Sequence, residues 1–285
     1  MRLFNKVAIV GVGLIGGSIG LGIKKRKLAN RVIGISRHKK TITSALTRKA
    51  VDLSSVNISA VEDADLVILA TPVNSIIEVG FKIVPLIKPS TLVTDTGSTK
   101  REVVKVLQNL LPNFVGAHPL AGSEKQGVIN ADADLFRNSL CILTPTKTTS
   151  KAALGKIKRF WTALGAKVIY LTPAMHDKYI SYVSHLPHIV AFSLIRSIPH
   201  NTLFLASGGL KDTTRIAASA DTLWKDILIT NSENILKAMK IFADSLSRIK
   251  SAIIRRDSEA LERILRQARL KRQSLNHKYR GDGSL

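Results

Sequence analysis

Lys6-Val7-Ala8-Ile9-Val10-Gly11-Val12-Gly13-Leu14-Ile15-Gly16-Gly17-Ser18 is the stretch on which the fold turns. A run of β-branched residues leads straight into Gly-x-Gly-x-x-Gly, the pattern of a buried strand that reverses tightly into a helix. Gly11 permits the turn, Gly13 lets the backbone approach a pyrophosphate, and Gly16 lets helix and strand pack closely. The helix start offers unpaired N–H groups and a positive dipole end to the phosphates. Gly11, Gly13, Leu14, Ile15 and Gly16 are therefore candidate cofactor-binding residues. A purely structural glycine turn is the alternative.

Outward from this turn, the first 172 residues alternate short apolar runs with amphipathic segments. Strands are expected at 7–10, 32–35, 66–70, 92–95, 114–117, 141–143 and 168–171, with helices at 101–111 and 151–164. That alternation predicts an α/β Rossmann-type parallel sheet. Past Thr172-Pro173 the strand signal stops, and 174–194, 221–255 and 258–273 read as helices, the second of them broken or very long. The expected organisation is thus a dinucleotide-binding domain over 1–172 and an all-α substrate and dimerisation domain over 173–285. The polar stretch from Lys271 to Leu285 is expected to fray.

The end of the second strand bears on the dinucleotide. A carboxylate there would hold a ribose 2′-hydroxyl, but this chain has Ser36-Arg37-His38-Lys39-Lys40. Ser36 and Arg37 suit a 2′-phosphate by hydrogen bond and charge, so NADP is the expected cofactor, with NAD as the alternative. Thr71, just beyond the third strand, is a further cofactor-binding candidate.

Composition narrows the class. The net charge is +23, and residues 1–172 carry 25 Lys and Arg against 10 Asp and Glu, so the excess is spread rather than confined to a tail. Aromatic residues make up only 5% and do not interleave with the basic ones, which argues for a solvated basic surface over a nucleic-acid platform. The apolar run 7–23 imitates a signal-peptide core, yet glycines interrupt it and no small-residue cleavage site follows. No apolar stretch reaches membrane-spanning length, and the single Cys141 makes no internal disulfide. A cytoplasmic protein without membrane or metal is the expectation.

Three further segments carry chemistry. Gly116-Ala117-His118-Pro119-Leu120-Ala121-Gly122-Ser123-Glu124 follows a strand end; Ser184-His185-Leu186-Pro187-His188 lies in the first helix of the second half; Gly208-Gly209-Leu210-Lys211-Asp212-Thr213-Thr214-Arg215 opens the next helical region. With the glycine turn and Asp95-Thr96-Gly97-Ser98-Thr99-Lys100, they resemble the prephenate/arogenate dehydrogenases of tyrosine biosynthesis, in order, from about Lys6 to about Ile254. The resemblance implies hydride transfer from C4 of a cyclohexadienol to nicotinamide, with loss of the C1 carboxylate as carbon dioxide. Prephenate would give 4-hydroxyphenylpyruvate, and arogenate would give tyrosine.

By the same resemblance His118 accepts the C4 hydroxyl proton, as an imidazole with an ordinary pKa of about 6.5 can near neutrality. Ser98 bonds both His118 and that hydroxyl. Arg215 grips a substrate carboxylate with its planar fork. His188 contacts the substrate side chain, Lys211 and Asp212 complete a polar network, Trp224 closes the pocket, and Glu124 resembles an acidic gate. Plainer readings stand beside these: a core or capping histidine for His118, a helix N-cap for Ser98, an Arg215–Asp212 ion pair, core packing for Trp224 and a surface charge for Glu124. His188 offers no counter-charge to arogenate's amino group, which favours prephenate. The family's fused mutase or regulatory domains are expected to be absent, and a homodimer is expected. Rival readings are a β-hydroxyacid dehydrogenase or imine reductase, and a dinucleotide-sensing nucleic-acid-binding protein.

Overall fold

The computed structural model describes residues 2–122 and 125–275. In chain order the α/β part comprises β1 (Phe4–Val10), α1 (Leu14–Lys25), β2 (Ala29–Ile35), α2 (Lys39–Thr47), β3 (Leu53–Ser55), β4 (Leu66–Leu69), α3 (Val73–Ile83), β5 (Leu92–Asp95), α4 (Arg101–Leu110), β6 (Phe114–Val115), β7 (Ala117–Pro119), β8 (Leu140–Leu143), α5 (Lys151–Ala163) and β9 (Lys167–Tyr170). Six parallel strands form one sheet in the order β3-β2-β1-β4-β5-β6. The order reverses between β1 and β4, which is where open α/β sheets leave a crevice for ligands.

Period-two alternation explains how the sheet is covered on both faces. Val7 and Ile9 of β1 and Leu66 and Ile68 of β4 join one core with Ile19 and Ile23 of α1 and Phe160 and Trp161 of α5. Their alternates Ala8, Val10, Val67 and Leu69 join a second core with Ile76 of α3 and Val103, Val104 and Leu107 of α4. Residues 7–10 of β1 and all of β4 are apolar because both of their faces meet helices.

The strand expected at 114–117 is interrupted. Phe114 and Val115 pair with β5, then the chain leaves the sheet at Gly116 and β7 pairs antiparallel with β8 in a separate three-stranded sheet, β7-β8-β9. A side chain at Gly116 would meet Thr144 Oγ1 at 2.5 Å and Val104 Cγ2 at 2.7 Å, so the crossing passes too close for any other residue. The short β3 has too few apolar residues for its periodicity to be read.

Beyond Thr172, whose hydroxyl caps the next helix by accepting from Met175 N, the chain is helical. α6 (Pro173–Ile180), a π-helical turn (Ser181–His185) and α7 (Leu186–Ser197) follow one another without a break. Pro187 explains the π turn: it lacks an N–H, and its ring crowds the carbonyl four residues back, so the preceding turn widens. α8 (Gly208–Thr214), α9 (Asp221–Thr230), α10 (Ser232–Ile254) and α11 (Ser258–Ser274) follow among the described residues, with the break expected within 221–255 falling at Asn231.

The compact units divide later than the change in secondary structure, into Met1–Ser232 and Glu233–Leu285. In the second unit, Arg256 in the left-handed region (φ 52°) turns α10 into α11, and Asp257 caps α11 by accepting from Ala260 N. Leu236, Ile241, Phe242, Leu246, Ile253 and Ile254 of α10 are exposed. Among the described residues no helix is long and apolar enough to cross a membrane.

Candidate active site

The glycine turn lies at the β1/β4 switch. Gly11 has φ +96°, and a Cβ on it would stand 2.4 Å from the Ala70 carbonyl oxygen at the end of β4; a Cβ on Gly16 would stand 1.9 Å from the Gly11 carbonyl oxygen. Neither position can carry a side chain. Gly13, the N-cap of α1, differs: a Cβ there meets nothing within 4 Å, so the backbone faces open space. No acidic residue sits in the first turn of α1. The neighbouring Thr71 has a buried hydroxyl without a hydrogen-bond partner. An open backbone cradle, a helix N-terminus without competing carboxylates and an unpartnered hydroxyl together fit a dinucleotide pyrophosphate. Leu14 and Ile15 open α1 and are half-buried. Ser36 and Arg37 follow β2; Ser36 Oγ accepts from His38 N at 3.3 Å, and Arg37 is exposed.

One strand beyond β4, β5 ends in the wholly buried Asp95, whose carboxylate pairs with the equally buried Lys100 Nζ. It also accepts from Gly97 N at 2.9 Å and Ala117 N at 3.0 Å. Both charges are compensated, as burial demands. This knot ties the β5–α4 loop, with Ser98 half-buried in it, to the strand that carries His118.

His118 is buried on β7, and its Nδ1 lies 2.8 Å from Nε2 of His176 on α6. His176 Nδ1 in turn lies 2.7 Å from Asp177 Oδ1. The Asp177 carboxylate also accepts from Lys100 N at 2.8 Å and Arg101 N at 2.9 Å, at the start of α4. These contacts set the tautomers. Asp177 accepts throughout, so His176 carries its proton on Nδ1 and presents a lone pair at Nε2. His118 must then donate from Nδ1, which leaves its Nε2 as a free base with no hydrogen-bond partner among the described residues. Burial, then the neighbouring His176 and Lys100, hold the His118 pKa well below its ordinary value, so the imidazole is neutral at pH 7.

The helical side of the site is built around Trp224. Its ring stacks on His188 at 3.6 Å between centroids and meets His185 edge-on at 5.9 Å. Trp224 is buried and packs on the histidines. His188 Nδ1 donates to the Ser184 carbonyl at 3.0 Å. Burial lowers the His188 pKa, and the charge of Arg215 lowers it further. His185 is almost wholly buried; its Nδ1 accepts from Asn231 Nδ2 at 3.2 Å, and burial pushes its pKa down to about 4. Asn231 Nδ2 also donates to the Asp177 carbonyl at 2.8 Å, which joins the Trp224 cluster to the His118–His176 pair.

Of the residues singled out from sequence, His118, His188 and Trp224 thus belong to one connected group. Lys211, Asp212 and Arg215 are exposed on or just after α8. Glu124 lies outside the described residues. No hydrogen bond joins Ser98 to His118, whose Nδ1 meets His176 instead. Nor is Ser98 an N-cap: α4 starts at Arg101 with Lys100 as its cap residue, and Asp177 accepts its first N–H groups. Sequence reasoning missed His176 and Asp177. The signal was there, an adjacent His-Asp pair in the opening turn of a helix, but nothing local says what it faces.

The comparisons with known proteins agree with this geometry. The family model described as "Prephenate dehydrogenase, nucleotide-binding domain" matches residues 19–170, and "Prephenate dehydrogenase, dimerization domain" matches residues 172–267. The prephenate dehydrogenase of Bacillus subtilis is 37% identical over 98% of this chain and 78% of its own length. The cyclohexadienyl dehydrogenase of Zymomonas mobilis is 32% identical over 96% of this chain and 97% of its own length. The crystal structure of the Aquifex aeolicus prephenate dehydrogenase, in complex with hydroxyphenyl propionate and NAD+, superposes with a TM-score of 0.90 at 37% identity, covering 95% of this chain and 98% of that one. With a Rossmann-type sheet, a glycine turn that fits a dinucleotide pyrophosphate, a buried histidine on β7 and two family models that between them match residues 19–170 and 172–267, the chain belongs to the prephenate dehydrogenase family of oxidoreductases.

Proposed function

We propose that this protein converts prephenate to 4-hydroxyphenylpyruvate and carbon dioxide while reducing a nicotinamide dinucleotide. The observation that carries the reading is the His118 tautomer: an unprotonated Nε2 on a buried, neutral imidazole, held from behind by His176. Gly11, Gly13, Gly16 and Thr71 would hold the dinucleotide, which would supply the hydride acceptor for C4. His118 Nε2 takes the hydroxyl proton as C4 becomes a carbonyl, and the carbonyl draws in the electrons of the breaking C1–carboxylate bond. The ring becomes aromatic, and the phenolate oxygen takes the proton back from Nε2. One proton is lent and returned, and the burial of His118 keeps it from leaking to solvent.

Arg215 binds a substrate carboxylate through its planar fork, with Lys211 and Asp212 beside it on α8 and Glu124 as a gate. Ser98 supports the substrate hydroxyl. His188, fixed by its stacking on Trp224 and its bond to Ser184, directs Nε2 at the side chain. Its neutral ring gives arogenate's ammonium group no counter-charge, which supports prephenate as the substrate.

NADP is the proposed cofactor. The end of β2 offers Ser36 and Arg37 in place of a carboxylate that would repel a 2′-phosphate. The exposed apolar residues of α10 support a homodimer, as does the dimerisation model that spans them. Reduced-nicotinamide absorbance, measured with prephenate and arogenate against NAD and NADP, tests the reaction, the substrate and the cofactor. The expected ranking puts prephenate with NADP first. Turnover with neither substrate overturns the reading, and a higher kcat/KM with NAD removes Ser36 and Arg37 from its basis.

A further inference from the structure

Oxidation at C4 leaves a proton on His118, a residue with a buried cation for a neighbour. Lys100 lowers its proton affinity by charge, as does His185 more weakly, and the thiol of Cys141 nearby is held neutral by burial. An imidazolium confined to His118 would therefore lie in a cationic, desolvated corner. Among the described residues, the carboxylate hydrogen-bonded to a histidine of the connected group is Asp177, and it reaches His118 through His176.

We propose that His118, His176 and Asp177 form a proton relay in which positive charge moves from the substrate-facing ring to the ring beside the carboxylate. The substrate O–H bond breaks and an N–H bond forms at His118 Nε2. The N–H bond at His118 Nδ1 then breaks and one forms at His176 Nε2, across the 2.8 Å contact. His118 is again neutral, and the imidazolium of His176 is paired at 2.7 Å with Asp177. Each transfer reverses when the phenolate recovers its proton, so nothing is consumed.

The surroundings hold this line in place. Asp177 is fixed by two N–H groups at the start of α4, where the helix dipole favours its charged form. The Asn231 side chain holds the Asp177 backbone. Besides Asp177, His176 faces Lys100, which disfavours its protonation, and Asp95, which favours it. Asp95 already accepts from Lys100, Gly97 and Ala117, so Asp177 is the carboxylate available to the relay. His176 and Asp177 are positioning residues, acting on the substrate only through His118.

This inference rests on His118 being the proton acceptor, and the experiment separates the two. The full-length variants His176→Gln, Asp177→Asn, the double variant and His118→Asn are compared by kcat, prephenate KM, dinucleotide Kd and the pH profile of kcat/KM. A glutamine can accept the His118 Nδ1 proton's hydrogen bond and keep the ring oriented, but it cannot take the proton. The relay predicts that His176→Gln loses about 100-fold in kcat, within the range for a lost acid–base function, with KM and Kd within about 2-fold of the parent. The acid limb of the profile moves to lower pH in Asp177→Asn, because the charge that favours imidazolium is gone. The double variant is no slower than the slower single one. Asp177→Asn also disturbs the start of α4, so His176→Gln, which leaves that cap intact, is decisive if Asp177→Asn does not fold. Parent-like kcat and an unmoved acid limb in His176→Gln overturn the relay while leaving His118 as the base. Parent-like turnover in His118→Asn overturns both.

Discussion

The glycine turn and the histidine cluster both serve the ends of the parallel strands, yet they are built in opposite ways. The turn is contiguous: at Gly11 and Gly16 the closest constraints are backbone, the carbonyls of Ala70 and Gly11, and Gly11 N donates to the Ile35 carbonyl at the end of β2. The cluster is assembled from β7, α6, the π turn, α7 and α9, with its charges supplied by β5 and the start of α4. A contiguous site depends on conformational permission at single positions. A dispersed one depends on the whole packing of helices against the sheet.

The two regions should therefore fail differently when altered. His118→Asn carries the largest expected effect: kcat falls by about 1,000-fold, as for the loss of a general base, while dinucleotide Kd stays within about 2-fold. Steady-state kinetics with fluorescence titration of the cofactor check it, and equal losses in both would mean that the regions are not separable. Gly11→Ala should do the reverse. Left-handed φ and the Ala70 carbonyl both oppose a Cβ, so cofactor affinity and thermal stability fall together, the strain alone costing about 1–3 kcal/mol. A variant with unchanged Tm and Kd would show that the turn is looser than it is drawn.

Arg215→Ala is expected to raise the prephenate KM by about 30-fold, corresponding to about 2 kcal/mol for a charge-assisted contact, with kcat little altered. An unchanged KM would separate α8 from the histidine cluster. The smallest effect concerns stability against pH. His118, His176 and His185 all have lowered pKa values in the folded protein, His185 about 4. Between the ordinary value of about 6.5 and these lowered values the unfolded chain binds more protons. Stability is thus full above about pH 6.5 and declines as pH falls toward 4. Thermal melts across that window should show the decline, and it should be shallower in His185→Asn if that variant folds.

Much of the architecture could be read in advance. The strand boundaries at β5, the glycine turn and the helices α4, α5 and α11 agree with local periodicity to within a residue or so. The strand split at Gly116 could not be read, since Phe114-Val115-Gly116-Ala117 is a plausible single strand until Thr144 and Val104 crowd it. At the site, His118 and His188 stood out because each sits in a short, recognisable segment. His176 and Asp177 did not, and Ser98 was assigned a bond to His118 that the structure gives to His176.

Sequence alone determined the elements whose physics is local: which runs are apolar on both faces, where backbone must turn without a side chain, and where a helix must begin beside a phosphate. Tertiary structure decided which nitrogen of which imidazole is free. That depends on a carboxylate on α6 meeting two backbone N–H groups of α4, and no interval along the chain encodes a hydrogen bond between elements that approach only when their cores have packed.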